Sequence, residues 1–334
     1  MPTSEDKIHK PISCCIVPSI ECFFKCKMCH LWKSRPEPDK INPEEWQNFI
    51  DSLSGLLDDR KELIFSGGEP LLNKDITALI SYANKKGLRT VLSTNAFLID
   101  GKKAEELVAA GLKEIYISLD SFNEKTHDFL RGVEGSHKKA TDAIGHLNKY
   151  RSDLKVNVIT VLSGCNLHEI SGHVKKLSGE GMVGGVYFQA IAQPFYTEFE
   201  EYWQQKEEYS FLWPQDLKAV HDALDILIEF KSRNYPIINQ LQHLEKFRSY
   251  FENPNLFVTK SRCYLGDYSI NINPNGNIFL CGSLGPVGNI RKDDINRLWF
   301  SDRAQEKREQ MYKCAKNCHN MVNCFFLDKE ERPA

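Results

Sequence analysis

No stretch of this sequence approaches the run of about twenty apolar residues that a membrane-spanning helix needs. The beginning, MPTSEDKIHK, is polar, and the first apolar run, Ile12 to Ile20, is short and interrupted by Ser13, Pro18 and Ser19. It therefore does not read as a secretory signal. Neither sign of charge is in excess: 43 Lys and Arg stand against 45 Asp and Glu, a net of −2. With no basic run interleaved with aromatics, this argues against a surface that tracks nucleic-acid phosphates. Internal repeats, low-complexity tracts and long disordered linkers are absent as well, and only the extreme ends look loose.

What the chain does have is cysteine, eleven residues in 334, within an otherwise ordinary globular composition of 41% hydrophobic and 26% charged residues. In a chain without a secretory signal, that points to a reducing, cytoplasmic compartment and to metal ligation rather than disulfides. Eight of the eleven fall in two spaced sets, Cys22, Cys26 and Cys29, then Cys263, Cys281, Cys314, Cys318 and Cys324. The first set is a CxxxCxxC run directly after a short apolar strand. Three thiolates within eight residues can hold three corners of one soft-metal centre and leave a fourth position without a local ligand. Zinc sites usually pair CxxC with a second CxxC or a His pair, and none lies close by in sequence.

Around this set the hydrophobic period switches between strand and helix up to about residue 190. Short apolar runs predict strands at 12–17, 63–65, 89–92, 114–119, 156–162 and 186–190. Asn42-Pro43-Glu44-Glu45 opens a helix with apolar residues at Trp46, Phe49, Ile50 and Leu53. A helix from Ile76 ends at Gly87, and further helices are expected at 102–110, 136–150 and 166–178. Strands separated by helices imply a right-handed parallel sheet. From Pro194 to about Pro254 the alternation stops. An aromatic-rich stretch (Phe195–Trp213) leads into two helices, read as a helical bridge across the sheet's open side or a lid on a substrate pocket. Beyond it, period-2 alternation at Tyr268–Ile272, the turn Asn273-Pro274-Asn275-Gly276 and Asn277–Leu280 predict a β-hairpin, and a helix at about 294–312 leads to Cys314.

Cys22-x3-Cys26-x2-Cys29 resembles the signature of the radical S-adenosylmethionine (SAM) superfamily. Further motifs follow in that superfamily's order: Gly67-Gly68-Glu69-Pro70, Ser93-Thr94-Asn95, Ser118-Leu119-Asp120-Ser121 and Arg131-Gly132. Met28 departs from the pattern, which more often has an aromatic there; a Met can still pack beside an adenine. The resemblance implies an α/β fold, a partial (β/α)6 TIM-type barrel with its chemistry at the C-terminal strand ends. It also implies a 4Fe–4S cluster on the three cysteines with SAM chelated to the open iron, and an external electron donor such as flavodoxin or ferredoxin. Gly67, Gly68, Glu69 and Pro70 would meet the SAM amine, Asn95 its ribose or carboxylate, and Ser118 and Asp120, expected on one face of the sheet, other parts of it. Arg131 would pair with the SAM carboxylate. His30 reads as a solvated neighbour of the cluster.

The second set, Cys263-x17-Cys281 with Gly276-x4-Cys281 inside it, then Cys314-x3-Cys318-x5-Cys324, resembles the SPASM and twitch extensions of that superfamily, which bind auxiliary 4Fe–4S clusters. Five cysteines count as one cluster with a spare thiol; which two of Cys314, Cys318 and Cys324 join Cys263 and Cys281 stays open, and structural zinc is the alternative. The expected division is a barrel at 1–193, the bridge or lid at 194–255, and a cluster-binding hairpin and helix domain at 256–334. The activity implied is hydrogen abstraction by a 5′-deoxyadenosyl radical, with net oxidation or rearrangement of a small molecule. A peptide substrate, or an epimerisation with Cys165 on the strand-end rim as hydrogen donor, is the alternative within the enzyme class. The barrel's early start leaves no room for a leader-binding domain and favours the small molecule. The rival from another class is an iron–sulfur electron-transfer or zinc-binding protein without SAM chemistry. Cys14 and Cys15 are read as core fillers.

Overall fold

The computed structural model describes residues 9–34, 39–260 and 262–324; the ends that look loose in the sequence lie outside them. Six strands run parallel: β1 (Ser13–Ile16), β2 (Glu62–Phe65), β3 (Arg89–Thr94), β4 (Glu114–Ser118), β5 (Lys155–Leu162) and β6 (Gly185–Ala190). Between them lie α1 (Pro43–Leu56), α2 (Ile76–Lys85), α3 (Gly101–Ala109), α4 (Glu124–Arg131), α5 (Ser136–Leu147) and α6 (Ile170–Ser178). The bridge carries α7 (Leu217–Ser232), α8 (Leu241–Glu252) and α9 (Pro254–Lys260). Then come α10 (Leu265–Tyr268), β7 (Ser269–Ile272), β8 (Asn277–Phe279), β9 (Gly288–Asn289), α11 (Ile295–Leu298), α12 (Asp302–Tyr312) and α13 (His319–Asn323).

Local chemistry accounts for these elements. Asn42 and Glu45 form a reciprocal capping box at α1 with Pro43 in its first turn, and Trp46, Phe49, Ile50, Leu53 and Leu56 form its buried stripe. Gly87 follows α2 with φ +77°. Strand side chains alternate: Cys14 and Ile16, Leu63 and Phe65, and Ile115 and Ile117 are fully buried, whereas Cys15, Ile64 and Tyr116 are half-buried and face the concave lumen. At the N-terminal end of the strands Arg89 joins Glu62 and Glu114, with Asn157 also on Glu114.

The sheet runs β6-β5-β4-β3-β2-β1-β7-β8-β9 and is not closed, a partial TIM-type barrel. The predicted hairpin forms, antiparallel between β7 and β8, but it does not stand apart. β7 pairs in parallel with β1, Cys15 opposite Asn271, so the cysteine-rich C-terminal region continues the barrel's own sheet. Such long-range pairing leaves no periodic trace in sequence. The helix expected at about 294–312 is two helices, because Ser301 ends α11's turn and caps α12 through the Ala304 amide. Helix α4, capped by Asn123, was not foreseen; its eight residues are mostly polar.

The free edge of β6 is sealed by side-chain amides. Asn239 accepts from the Phe188 N–H (2.7 Å) and donates to its carbonyl (2.8 Å). Asn323 on α13 does the same for Ala190, both at 2.8 Å. Between them the sheet's open side is closed by the bridge and the C-terminal helix. Among the described residues no helix is long and apolar enough to cross a membrane.

Candidate active site

The loop from Cys22 to Cys29 leaves β1 and is clasped at both sides by glycines. A Cβ on Gly68 would stand 2.2 Å from the Glu21 carbonyl oxygen, and the amides of Gly68 and Glu69 donate to the carbonyls of Ser19 and Glu21. On the far side Gly132, which ends α4 at φ +67°, would put a Cβ 2.3 Å from the Lys25 carbonyl oxygen, and the Lys27 amide donates to Leu130. Both glycines let the cysteine loop approach closely. The space expected beside Gly67 and Gly68 for a ligand is thus partly taken by the protein's own backbone.

Within the clasp, Cys22 senses the charge of Cys29, and Cys26 that of both. Burial raises all three thiols, Cys26 to about 12, while Arg131 lowers each. All eleven cysteines are free. Among the described residues no three His, Cys, Asp or Glu side chains come close enough to hold one metal ion. Three thiols on one short loop are the donor set that an iron–sulfur cluster takes.

The residues expected around SAM divide. Glu69 is fully buried, and its carboxylate ties loops together by accepting from Thr94 Oγ1 (2.7 Å), the Asn95 amide (2.9 Å) and the Leu71 amide (3.0 Å). Burial holds it above the ordinary carboxylate range. Pro70 starts the short turn that follows. Asn95 Oδ1 accepts from the Phe97 amide, and Ser118 stands half-buried at the end of β4. Asp120 does not share Ser118's environment as expected. It is buried beyond the strand end, takes two hydrogen bonds from Arg131 (2.7 and 2.9 Å), and accepts from the Val161 amide. Arg131 correspondingly spends Nε and Nη2 on Asp120, and its charge also faces Cys26. Chain reversal between β4 and α4 after Leu119 causes this, and no strand period can show it. Met28 is buried in the core. His30 lies against Tyr209 and Lys33 and is held below its ordinary pKa by burial.

The second set also gathers. Cys263 senses Cys318, Cys281 and Cys314; Cys318 senses Cys281 and Cys314; Cys324 senses Cys263, Cys318 and, from the other end of the chain, Cys15. Cys263 and Cys324 are each pushed up to about 12 by burial. Tyr187, on the lumen side of β6, donates to the Asn323 carbonyl at 2.7 Å beside Cys324. Between the two sets runs the segment after β6. Phe195 bridges to Cys29 and packs on His319 at 4.5 Å. Tyr196, at φ +62°, is 60% exposed as a whole, while its hydroxyl is raised by local desolvation and by Cys29 and Cys15. A non-glycine residue in that region marks local strain.

The sequence reading missed Tyr187 and Asn323, took Cys15 for a core filler, and reached Tyr196 only as part of the aromatic stretch read as a bridge or lid. Cys15 is no core filler like Cys14; period-2 alternation already put the two on opposite faces. Cys165 is placed differently again: its thiol donates to the Phe211 carbonyl at 3.5 Å and packs on the core, so it anchors the bridge.

Comparison with known proteins agrees with this geometry. Residues 16–177 match the Radical SAM superfamily, and residues 263–324 match SPASM, an iron–sulfur cluster-binding domain. An AdoMet-dependent heme synthase of Methanosarcina barkeri is 26% identical over 281 residues, covering 83% of this chain and 79% of that protein. A PqqA peptide cyclase of Bradyrhizobium diazoefficiens is 30% identical over 155 residues, 45% of this chain and 38% of the other. Streptococcus suis SuiB bound to S-adenosylmethionine shares the fold at a TM-score of 0.69 with 20% identity, over 89% of this chain and 68% of that one. The chain belongs to the radical SAM superfamily, as an enzyme with a SPASM domain and 4Fe–4S clusters.

Proposed function

We propose that this enzyme oxidises an unreactive C–H bond of a small molecule held in the barrel lumen between its two cysteine sets. With its groups bound, the first site supplies a 5′-deoxyadenosyl radical from SAM and the second an acceptor for the electron left on the substrate. The observation that carries the reading is geometric: β7 of the second set's region pairs with β1, and Phe195 bridges to Cys29 while packing at 4.5 Å on His319, the neighbour of Cys318. Cys22, Cys26 and Cys29 would hold the first cluster. Cys263 and Cys318 each face Cys281, Cys314 and Cys324, and would hold the second cluster with Cys281 and one of Cys314 and Cys324.

In this reading Gly67, Gly68 and Pro70 shape the strand end that receives SAM, Glu69 fixes its backbone, and Asn95 and Ser118 offer their remaining donors and acceptors to it. Asp120 orients Arg131 rather than touching SAM. Tyr196 and Tyr187 border the space where the substrate sits, and α13 with the bridge shields it from water. The electron comes from an external carrier in a reducing, cytoplasmic setting, and no nucleic acid is involved.

Two observations favour a small molecule. The relative aligned over most of the chain is a heme synthase, whereas the peptide cyclase aligns over less than half. The β6 edge, where an extended peptide could add a strand, is already occupied by Asn239 and Asn323. The cyclase relationship keeps a peptide as the second reading. The test is anaerobic turnover with SAM and dithionite in an extract of deuterium-labelled cells, split by dialysis. Deuterium entering 5′-deoxyadenosine from the dialysable fraction supports the small molecule. Deuterium from the retained fraction only transfers the assignment to a peptide.

A further inference from the structure

The outer face of the cysteine loop carries an unusual set of cations. Lys25 and Lys33 both lie over the Trp32 ring, at 5.9 and 5.3 Å, Lys27 over Phe129 at 5.1 Å, and Lys139 over Phe97 at 5.5 Å. None of these four lysines pairs with a carboxylate among the described residues, whereas Lys40, Lys86, Lys138, Lys206 and Lys218 do. Aromatic surface beneath them is open to solvent in two pairs: Phe23 (37% exposed) packs on Phe97, and Phe129 (50% exposed) on Phe211. Of the nearby acids, Glu21 is neutralised by Lys40, and Glu208 stands off at His30 and Tyr209. A chain with a net charge of −2 thus concentrates unpaired positive charge on the loop that holds Cys22, Cys26 and Cys29.

We propose that this lysine and aromatic patch is the docking surface for a small acidic one-electron carrier protein. The proposal rests on the radical SAM reading, which needs an electron from outside the chain. The transfer oxidises the carrier by one electron and reduces the enzyme's cluster by one, with no bond made or broken. Docking here brings the carrier onto the segment between the ligands themselves. Complementary charge accelerates encounter and sets salt dependence, and the exposed rings supply the apolar contact at the centre. An acidic peptide or a single-stranded RNA would meet the same charges. The patch's position on the cluster loop favours the electron carrier.

The experiment measures binding of a labelled flavodoxin by anisotropy, together with flavodoxin-driven and dithionite-driven 5′-deoxyadenosine formation. It uses the reconstituted wild type, a K33E/K139E variant and a K33R/K139R variant. The expected result is wild-type binding that weakens steeply with salt. The charge-reversal variant should bind and accept electrons from flavodoxin about tenfold or more less well, with dithionite-driven cleavage unchanged, and the arginine variant should match wild type. Equal binding by the charge-reversal variant, or salt-independent binding by wild type, overturns the proposal. So does loss by that variant of binding to RNA or an acidic peptide while flavodoxin binding persists. Failure of wild type to cleave SAM even with dithionite would instead strike the functional reading beneath it.

Discussion

Replacing Asp120 by Asn should damage the protein in proportion to how deeply its ion pair is buried. Asp120 has no exposed side-chain surface and Arg131 only 11%, so the small value of a surface pair does not apply. Breaking a buried pair from one side costs about 3–5 kcal/mol, because the remaining charge is left without its partner. The Val161 amide also loses a carboxylate acceptor. D120N should therefore lower stability by about 3 kcal/mol or more in urea unfolding of the cluster-free protein. The double variant D120N/R131M should be less damaged than the sum of the two single variants, since it removes the stranded charge as well. On reconstitution D120N should also lose cluster iron, because Arg131 faces Cys26. A cost below about 1 kcal/mol, or additive single and double variants, would refute the view that Asp120 acts through Arg131.

Gly68→Ala and Gly132→Ala each drive a Cβ into the backbone of the cysteine loop, so both should lower the iron bound by the first set in reconstitution assays, while Gly145→Ala, which meets no neighbour, should not. Asn323→Ala strands the Ala190 amide and carbonyl on the β6 edge; it should cost about 2–3 kcal/mol in unfolding and increase proteolysis near α13. His173 and His243 are held neutral by burial, each lowered to about 4, against about 6.5 when unfolded. Their contribution is complete above pH 6.5 and is lost as pH falls through about 4, so urea stability at pH 4.5 should be lower than at pH 7 by about 2–3 kcal/mol for each. Because Cys165 is engaged with Phe211, Cys165→Ala should cost about 1 kcal/mol of stability and leave SAM cleavage unchanged by 5′-deoxyadenosine assay; product of altered configuration would restore the hydrogen-donor role.

Local signals were readable in the sequence because they act over a few residues. The Asn42–Glu45 box, the glycine after α2, the strand runs and the hairpin turn are each set by neighbouring backbone and side-chain preferences. The two cysteine sets were readable because thiolate spacing is itself chemistry. What could not be read was pairing at long separation: β7 on β1, Asn323 on β6, and Cys324 beside Cys15. Asp120 illustrates the point. Its motif suggested a ligand contact, but its partner lies eleven residues away around the chain reversal into α4. Cys15 was different, since strand alternation did distinguish it from Cys14, and only the habit of treating strand cysteines as filling obscured it.

The most direct test of a two-cluster radical enzyme is iron quantitation after anaerobic reconstitution, on wild type and on a Cys22/Cys26/Cys29→Ala variant, each then given SAM and dithionite. The account predicts about eight irons in wild type falling to about four in the variant, with 5′-deoxyadenosine formed by wild type alone. About four falling to none would leave the lumen with a single redox site, and the oxidation proposed across it would have no acceptor.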